Sequence, residues 1–598
     1  MLRRPGFIAA FLVFLGLAAA TAPWALAPGS LDDSLRAEIG KAFNLDLKVA
    51  GRSVVAFLPT PRVKLEQVSL SRDGEPVVSG GTLRARFRLL PLFVGRLTLD
   101  EISLADPRIE LTLGRGGFDA VANELRRRFA GTESSSVRLA ITNGTLKVRD
   151  VRGEEALFSD LTVRGDWPAA GETMSLEASA RLGGKPVSVA AHSLVPSLLV
   201  AGKTSPVAID AALGTGRLRI EGETSIEGRP RLAGRLRFEA RSLKEFQNFT
   251  GWTFPLGSLI QAVSFDSDFK ADPDAVEWPR VKLALGDDRL EGALSARRNG
   301  GRLAITGTLD AEVIDLPGLA GFLRPPARNG MAGGWSPQPV RLADLTGADL
   351  DLRLSIGEAR LGELPLQNVA ANLFVTRDRL EVSLGRASID GGTVNGRAST
   401  ALGEGGLDSR VQGSFDKVAL STLFAAMGAP RWITADASGQ FVLTGTGISP
   451  LEIASSLTGR VNAETKGGEF VGINLPELIR RFERRPLAAS ADWRGGKTSF
   501  DSAAVAIDVT NGVGEVTQAQ AIAGPMRGNA SGRIALIDRT MKLRVVFEPG
   551  EMAGSTTPPA VGFDLTGPWH DIAIAPDIEM LLRRSGAVRS LLGLDRRN

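Results

Sequence analysis

Apolar and polar residues alternate with period two over most of this 598-residue chain beyond Asn44. Val137-Arg138-Leu139-Ala140-Ile141 places its odd positions on one side. Arg217-Leu218-Arg219-Ile220-Glu221 and Arg235-Leu236-Arg237-Phe238-Glu239 do the same with charged residues between. Successive side chains of extended backbone point to opposite sides, so this period describes strands with one buried and one solvated face. Turn residues separate the runs. Asn143-Gly144, followed by Leu146 and Val148, predicts a β-hairpin. Asn299-Gly300-Gly301 precedes Leu303, Ile305 and Leu309, and Asp538-Arg539 divides residues 528–537 from 541–547.

Helical patterns are few and short. Residues 31–43 carry Leu35, Ile39 and Phe43 at helical spacing, and residues 118–129 and 476–482 are similar. Residues 243–252, 316–323 and 420–427 are apolar, helix-compatible interruptions suited to plugging sheet ends. Residues 324–340 and 550–559 read as linkers or long loops. The apolar face of an antiparallel sheet must be hidden, and these helices cannot cover it. The expected fold is therefore mainly β, a long antiparallel sheet folded on itself as a barrel, sandwich or curled groove. The residues alone leave a filled core and a ligand-lined groove both open. The candidate lining residues are Val137, Leu139, Ile141, Leu146, Val148, Leu218, Ile220, Leu236, Phe238, Leu303 and Ile305.

The start of the chain reads as a membrane anchor. Residues 7–26 are uncharged, include Phe7, Ile8, Phe11, Leu12, Val13, Phe14 and Leu15, and end near Trp24. Twenty helical residues span about 30 Å, the thickness of a bilayer core. Arg3 and Arg4 make residues 1–6 a cytoplasmic stub and place the body outside. Ala25-Leu26-Ala27 has the form of a processing site, so a cleaved signal peptide competes with a retained anchor; the length of the apolar run and Pro28 favour retention. Both readings export the body. Residues 576–598 form a basic amphipathic pattern suited to an anionic surface, a partner or the sheet itself.

Composition excludes several chemistries. With no Cys there are no disulfides, thiol nucleophiles or zinc ribbons, and His192 and His570 alone cannot build a His-rich metal centre. A balance of 71 basic and 67 acidic residues lacks the field of a nucleic-acid binder. Residues 197–204 and 491–498 end in Gly-Lys-Thr but lack the leading glycine of a phosphate loop. Asp266, Asp268, Asp272 and Asp274 cluster, yet Lys270 at the fifth position breaks the calcium-loop pattern. The absence of Tyr denies a membrane barrel its aromatic girdles. No catalytic residue, metal or cofactor is expected.

Two marker regions point to a family. The first contains Leu58-Pro59-Thr60-Pro61-Arg62-Val63, Leu89-Leu90-Pro91-Leu92-Phe93-Val94-Gly95 and Ile102-Ser103-Leu104-Ala105-Asp106-Pro107. The second contains Gly459, Gly467-Gly468-Glu469-Phe470-Val471-Gly472-Ile473-Asn474-Leu475, Phe500, Asn511-Gly512 and Gly567. In this order and spacing the chain resembles the AsmA family of bacterial envelope proteins. The family-motif positions are Pro59, Pro61, Pro91, Gly95, Pro107, Gly459, Gly468, Gly472, Leu475, Phe500, Asn511, Gly512 and Gly567.

The resemblance implies a chorein-like N-terminal module over residues 27–130, β-groove repeats over 131–323, and an AsmA-like C-terminal β-groove region over 341–575. It implies a single-pass bacterial inner-membrane protein with its N-terminus in the cytoplasm and its body in the periplasm. A hydrophobic groove would carry phospholipid acyl chains towards the outer membrane, meeting an outer-membrane or periplasmic partner at its C-terminal end. About 30 strands at 4.8 Å would make a groove on the order of 140 Å. The alternative is an assembly factor for outer-membrane proteins that binds unfolded strands at its sheet edge.

Overall fold

The alternating segments become strands of up to 17 residues, Arg494–Thr510 being the longest among the described residues. A computed structural model describes residues 46–56, 60–72, 75–92, 98–112, 136–149, 155–169, 171–227, 230–250, 260–299, 302–316, 335–340, 342, 346–362, 364–426, 429–477, 494–550, 560–569 and 571–577. The predicted anchor at 7–26, the helical patterns at 31–43 and 118–129, most of those at 316–323 and 476–482, and nearly all of the 550–559 loop and the C-terminal helix lie outside them. Among the described residues no helix is long and apolar enough to cross a membrane. The chain forms two compact units, residues 1–252 with 262–279, and residues 253–261 with 280–598.

In the first unit the early strands turn a corner along a single line. Asp46–Val49 leads into Ser53–Ala56 around Gly51, and Arg62–Glu66 into Val68–Arg72 around Gln67. Glu75–Ser79 leads into Thr82–Phe87 around Gly80-Gly81, and Leu99–Ala105 into Arg108–Thr112 around Asp106-Pro107. The corner is built into the backbone. Gln67, Asp106 and Asn143 adopt φ of +52°, +56° and +54°, and a Cβ at Gly51 would lie 2.5 Å from the Glu66 carbonyl oxygen. Folding the sheet along this line brings Leu47, Leu70 and Val78 from one half against Val63, Leu83 and Phe87 from the other, in a filled core.

The hairpin predicted at Asn143-Gly144 is instead a bulge inside one strand, Val137–Arg149. The reason lies next door. The Asp106 N–H donates to the Thr142 carbonyl (2.9 Å), the Thr145 N–H to the Pro107 carbonyl (2.8 Å), and Asn143 Nδ2 to Asp106 Oδ1 (2.5 Å). The neighbouring corner therefore holds the dipeptide in line. One extra residue shifts the alternation by one, which returns Leu146 and Val148 to the face of Leu139 and Ile141. The expected antiparallel order is also broken here, because Leu99–Ala105 and Arg108–Thr112 pair with Val137–Arg149 in parallel.

From Val137–Arg149 onwards, consecutive antiparallel neighbours run through Glu155–Trp167, Met174–Leu182, Lys185–Leu194, Ser205–Leu213, Gly216–Ser225 and Arg231–Ala240 to Val263–Ala271. Among the described residues of this unit the helices are short: α1 (Leu89–Leu92), which precedes these strands, and α2 (Pro196–Val200) and α3 (Leu243–Thr250), which lie among them. Helix α3, expected as a plug, inserts the fully buried Phe246 edge-on against Phe238, with ring centroids 5.2 Å apart. Gly222 and Gly234 face each other across two strands. A Cβ at Gly222 would sit 2.1 Å from the Ala233 carbonyl oxygen, so these backbones leave no room for a side chain.

In the second unit, Asp288–Asn299 and Arg302–Asp315 form the predicted hairpin, with Asn299 opposite Arg302. Arg302–Asp315 then pairs in parallel with Asp349–Leu361. A parallel partner must start from the same end, so residues 316–348 have to return along a 14-residue strand, about 45 Å. The expected linker thus connects neighbouring strands of one sheet. Its described end is fastened at the strand ends: Trp335 Nε1 donates to the Leu536 carbonyl (3.0 Å), Arg539 stacks 5.0 Å over the Trp335 ring, and the Val340 N–H donates to the Ile448 carbonyl (2.9 Å). Antiparallel neighbours continue to Ala573–Pro576, interrupted by α4 (Leu420–Ala426) and α5 (Pro450–Ser456). Helix α5 was not anticipated, although its signature is present: Ser449 Oγ accepts the Glu452 N–H (3.2 Å) and proline opens the first turn.

Phe246→Ala removes a buried ring that the surrounding sheet cannot refill. A loss of about 3–5 kcal/mol is expected for the first unit, with Phe246→Leu costing less, measured by urea unfolding of the full chain.

Candidate functional site

Strand pairing converts alternation along the chain into rows across it. In the second unit Gly292, Leu309, Leu354, Ala371, Leu384, Gly396, Gly413 and Phe441 stand opposite one another in succession. The row goes on through Val461, Ile507, Val516, Gly532, Leu543 and Leu565 to Ile574. Its fifteen members include no polar side chain. At 4.8 Å per strand the row is roughly 65–70 Å long. A second row, two residues away, is equally apolar and contains Leu352, Leu373, Val382, Ala398, Val411 and Leu443.

The first unit has its own row. Leu65, Leu83, Leu104 and Ile141 lead to Val163, Ala178, Val189, Ala211, Leu218, Phe238 and Phe265, across eleven strands without a polar residue. Burial changes along it. Leu65, Leu83 and Leu104 belong to the filled core at the corner, whereas Val189 is 40% exposed and Leu218 and Phe238 are half-buried. The second unit grades similarly. Val382 and Val411 are each 42% exposed, while Leu475, Met526, Phe547, Val561 and Phe563 close a core at the C-terminal strands. That core retains a cavity of about 80 Å³ lined by Trp432, Phe470, Phe547, Phe563 and other apolar residues. Among the described residues the indole N–H of Trp432 is buried without a hydrogen-bond partner.

Each candidate lining residue falls on the apolar face of its own unit. Val137 is in the corner core with Leu139 and Ile141 packed against it. Leu146 and Val148 rejoin the face after the bulge, Leu218, Ile220, Leu236 and Phe238 form two adjacent cross-strand pairs, and Leu303 and Ile305 lie in the second unit. Sequence reasoning missed the glycines and alanines of the rows. Neither residue marks an apolar position by itself, and only register reveals Gly396 beside Leu384.

The opposite face is charged. Asp210 approaches Arg219 at 3.5 Å, Arg219 bonds Glu221 at 2.7 Å, and Asp266 receives Arg235 at 2.8 Å and Arg237 at 3.3 Å. Within the acidic cluster Asp266 lies in this ladder, and Asp272 Oδ1 accepts the backbone N–H groups of Asp274 and Ala275 at a turn. Among the described residues no three His, Asp or Glu side chains are placed to hold an ion. His192 is exposed, 3.9 Å from Asp210, and His570 lies outside the described residues. A concavity of about 720 Å³ in the first unit opens on this charged face, over Ser188, Ala190 and Ala212 with Arg164, Glu177 and Arg217 around them. A 420 Å³ depression in the second unit, edged by Ser414, Gln440, Asn462 and Gln518, is likewise on the polar side.

The family-motif positions serve the backbone and the closed cores. The Pro61 carbonyl accepts the Phe87 N–H (2.9 Å), Pro91 is in α1, and Pro107 packs under Gly144 at the corner. Pro59 and Gly95 lie outside the described residues. A Cβ at Gly468 would lie 2.5 Å from the buried ring of Phe500, Gly459 is pressed against the Val442 carbonyl, and Gly472 adopts φ +95°. The Leu475 N–H donates to Thr498 Oγ1 (2.8 Å). Asn511 and Gly512, at φ +49° and +73°, make the two-residue turn between Arg494–Thr510 and Val513–Ala523. Gly567, at φ +126°, lies opposite Met541.

Gly468→Val forces the Phe500 ring out of place and should cost about 1–3 kcal/mol in the second unit by denaturant unfolding. The Asp266 carboxyl is held below its ordinary value by the Arg235 hydrogen bond and the nearby Arg237 charge. Its stabilisation is therefore complete above the unfolded value near 3.8 and fades as pH falls through the lower folded value. Asp266→Asn should flatten the melting-temperature profile below about pH 4, read by thermal scans from about pH 6 to 2.5.

Comparison with known proteins adds one finding. Residues 330–519, within the second unit, match the sequence model of the AsmA family. No curated protein matches the chain. The match takes in Gly459, Gly468, Gly472, Leu475, Phe500, Asn511 and Gly512, and over residues 330–519 it bears out the AsmA-family resemblance read from the sequence.

Proposed function

We propose that the chain is a non-enzymatic protein of the bacterial envelope that conducts phospholipid acyl chains along its apolar rows towards the outer membrane. On this reading it is held in the inner membrane by residues 7–26 with its body in the periplasm, and a partner receives lipid at the C-terminal end. An AsmA-family segment and a large open β-sheet fit envelope-related lipid transport in general.

The observation that carries the finer reading is the unbroken apolar row. Shielding an acyl chain is worth about 0.8 kcal/mol per methylene. Movement requires that successive positions be similar in free energy. A row of fifteen apolar residues offers such positions over several times the ~15 Å depth of one leaflet, and a headgroup need never be stripped of water. Strand augmentation has less to work with, since Ser53–Ala56 and Ala573–Pro576, each pairing on one side among the described residues, have four residues apiece.

Full-length protein extracted in mild detergent is expected to carry phospholipid, detected by mass spectrometry. Leu443→Lys places a charge in the middle of the second row, whereas Val442→Lys places one on the polar face one residue away. Leu443→Lys should abolish lipid crosslinking at Leu443's neighbours and raise outer-membrane permeability to large antibiotics; Val442→Lys should do neither. Lipid-free protein, together with a fully functional Leu443→Lys chain, would falsify the reading.

A further inference from the structure

Helix α1 interrupts the first unit with an exposed leucine turn. Phe87, which ends the preceding strand, is fully buried, yet Leu89 is 41% and Leu90 80% exposed. The turn adjoins a basic surface. On the outer face of the same strands Arg62 stands directly opposite Arg86, and Lys64 opposite Arg84. Like charges directly opposite destabilise a sheet, so two such pairs side by side oppose folding unless something anionic faces them.

The acids nearby supply it to only one member of each pair. Glu66 bonds Lys64 at 2.7 Å and Glu101 bonds Arg86 at 3.0 Å. Asp100 is shared between Arg138 at 2.8 Å and Arg88 at 3.7 Å. Three carboxylates thus serve four of the six cations, and among the described residues Arg62 and Arg84 have no carboxylate within 4.0 Å. We infer that α1 and the basic face of Arg62–Glu66 and Thr82–Phe87 form a docking surface for an anionic lipid bilayer, Leu89 and Leu90 entering the interface while Arg62 and Arg84 meet lipid phosphates.

The chemistry selects a bilayer over a protein. Protein interfaces gather aromatic anchors in a desolvated centre, whereas here two leucines project at the edge of arginines that remain hydrated. An apolar insertion combined with a cationic cluster is the pairing of weak signals that holds peripheral surfaces to anionic membranes. Docking of this kind does not depend on lipid conduction. A chain whose rows carried no lipid would still dock in this way.

The absence of cysteine makes the test direct. Leu90→Cys, labelled with the fluorophore NBD, is placed in the full chain and reconstituted into vesicles of phosphatidylcholine with or without about 30% phosphatidylglycerol, enough to give the surface a negative potential. With the anionic lipid the emission should shift to the blue, nitroxide-labelled lipid should quench it, and iodide access should drop several-fold. A probe at Leu157→Cys, on an exposed residue away from α1 (59% exposed), should stay open to iodide in both vesicles. Arg62→Gln with Arg84→Gln should shift the Leu90→Cys probe back towards solvent, the docking equilibrium falling roughly 30-fold at about fivefold per charge. Equal iodide access in neutral and anionic vesicles overturns the inference. So does a probe shielded in both and untouched by the nitroxide lipid, which would place Leu90 against protein.

Discussion

In-line register is the constraint on which everything else in this protein rests. Sliding any strand by one residue would turn its apolar positions outward and its arginines inward, because side chains alternate with period two. Bulges preserve register wherever the alternation loses step. Leu364 and Leu366 share a face with Val369 and Ala371 only because Asn368, at φ +51°, inserts between them. Lys417, at φ +52°, does the same between Phe415 and the buried Val418. At Asn143 the same device also turns the first unit's sheet at its corner. The apolar face is continuous because the backbone is locally irregular.

The charged face works by different physics. Its ion pairs are exposed and screened, so each contributes little, and their value lies in keeping arginine-rich strands soluble and in register. Asp266, facing two guanidinium groups of Arg231–Ala240, ties its own strand to that neighbour. Large depressions open on the polar sides, whereas the cavity enclosed on the apolar side is small and aromatic-lined. Aromatic closure at Phe470, Phe547 and Phe563 and the folded corner around Phe87 fill parts of the apolar face, while Val189, Val382 and Val411 remain accessible. One alternating pattern therefore serves as a stabilising core at some strands and as an accessible apolar surface at others.

Short helices and loops adapt this sheet. Phe246 of α3 plugs a position beside the Gly216 backbone, where a Cβ would collide with its ring. Trp335, at the end of the long return between parallel strands, is tied to the turn at Leu536 and Arg539. Burial pushes the Arg539 guanidinium below its ordinary value, which marks this tie as a partly desolvated contact. The leucine turn of α1 departs from the pattern by pointing apolar side chains away from the core.

The sequence by itself determined the strands, their two-faced character and several turns: Asn511-Gly512 needs φ above zero at both residues, and the alternation around Leu218 and Phe238 needs no tertiary context. It also carried the resemblance to the AsmA family that the match over residues 330–519 bears out. It misread Asn143-Gly144, because the same dipeptide suits a hairpin or a bulge and only the partner strand at Asp106-Pro107 decides between them. It could not show that residues 316–348 join parallel neighbours, or that Gly396, Gly413 and Gly459 belong to apolar rows, since pairing is a property of space. Tertiary structure alone decided which stretches of the apolar face are filled and which stay accessible, because burial depends on what folds back over a strand, and the alternation is the same in both.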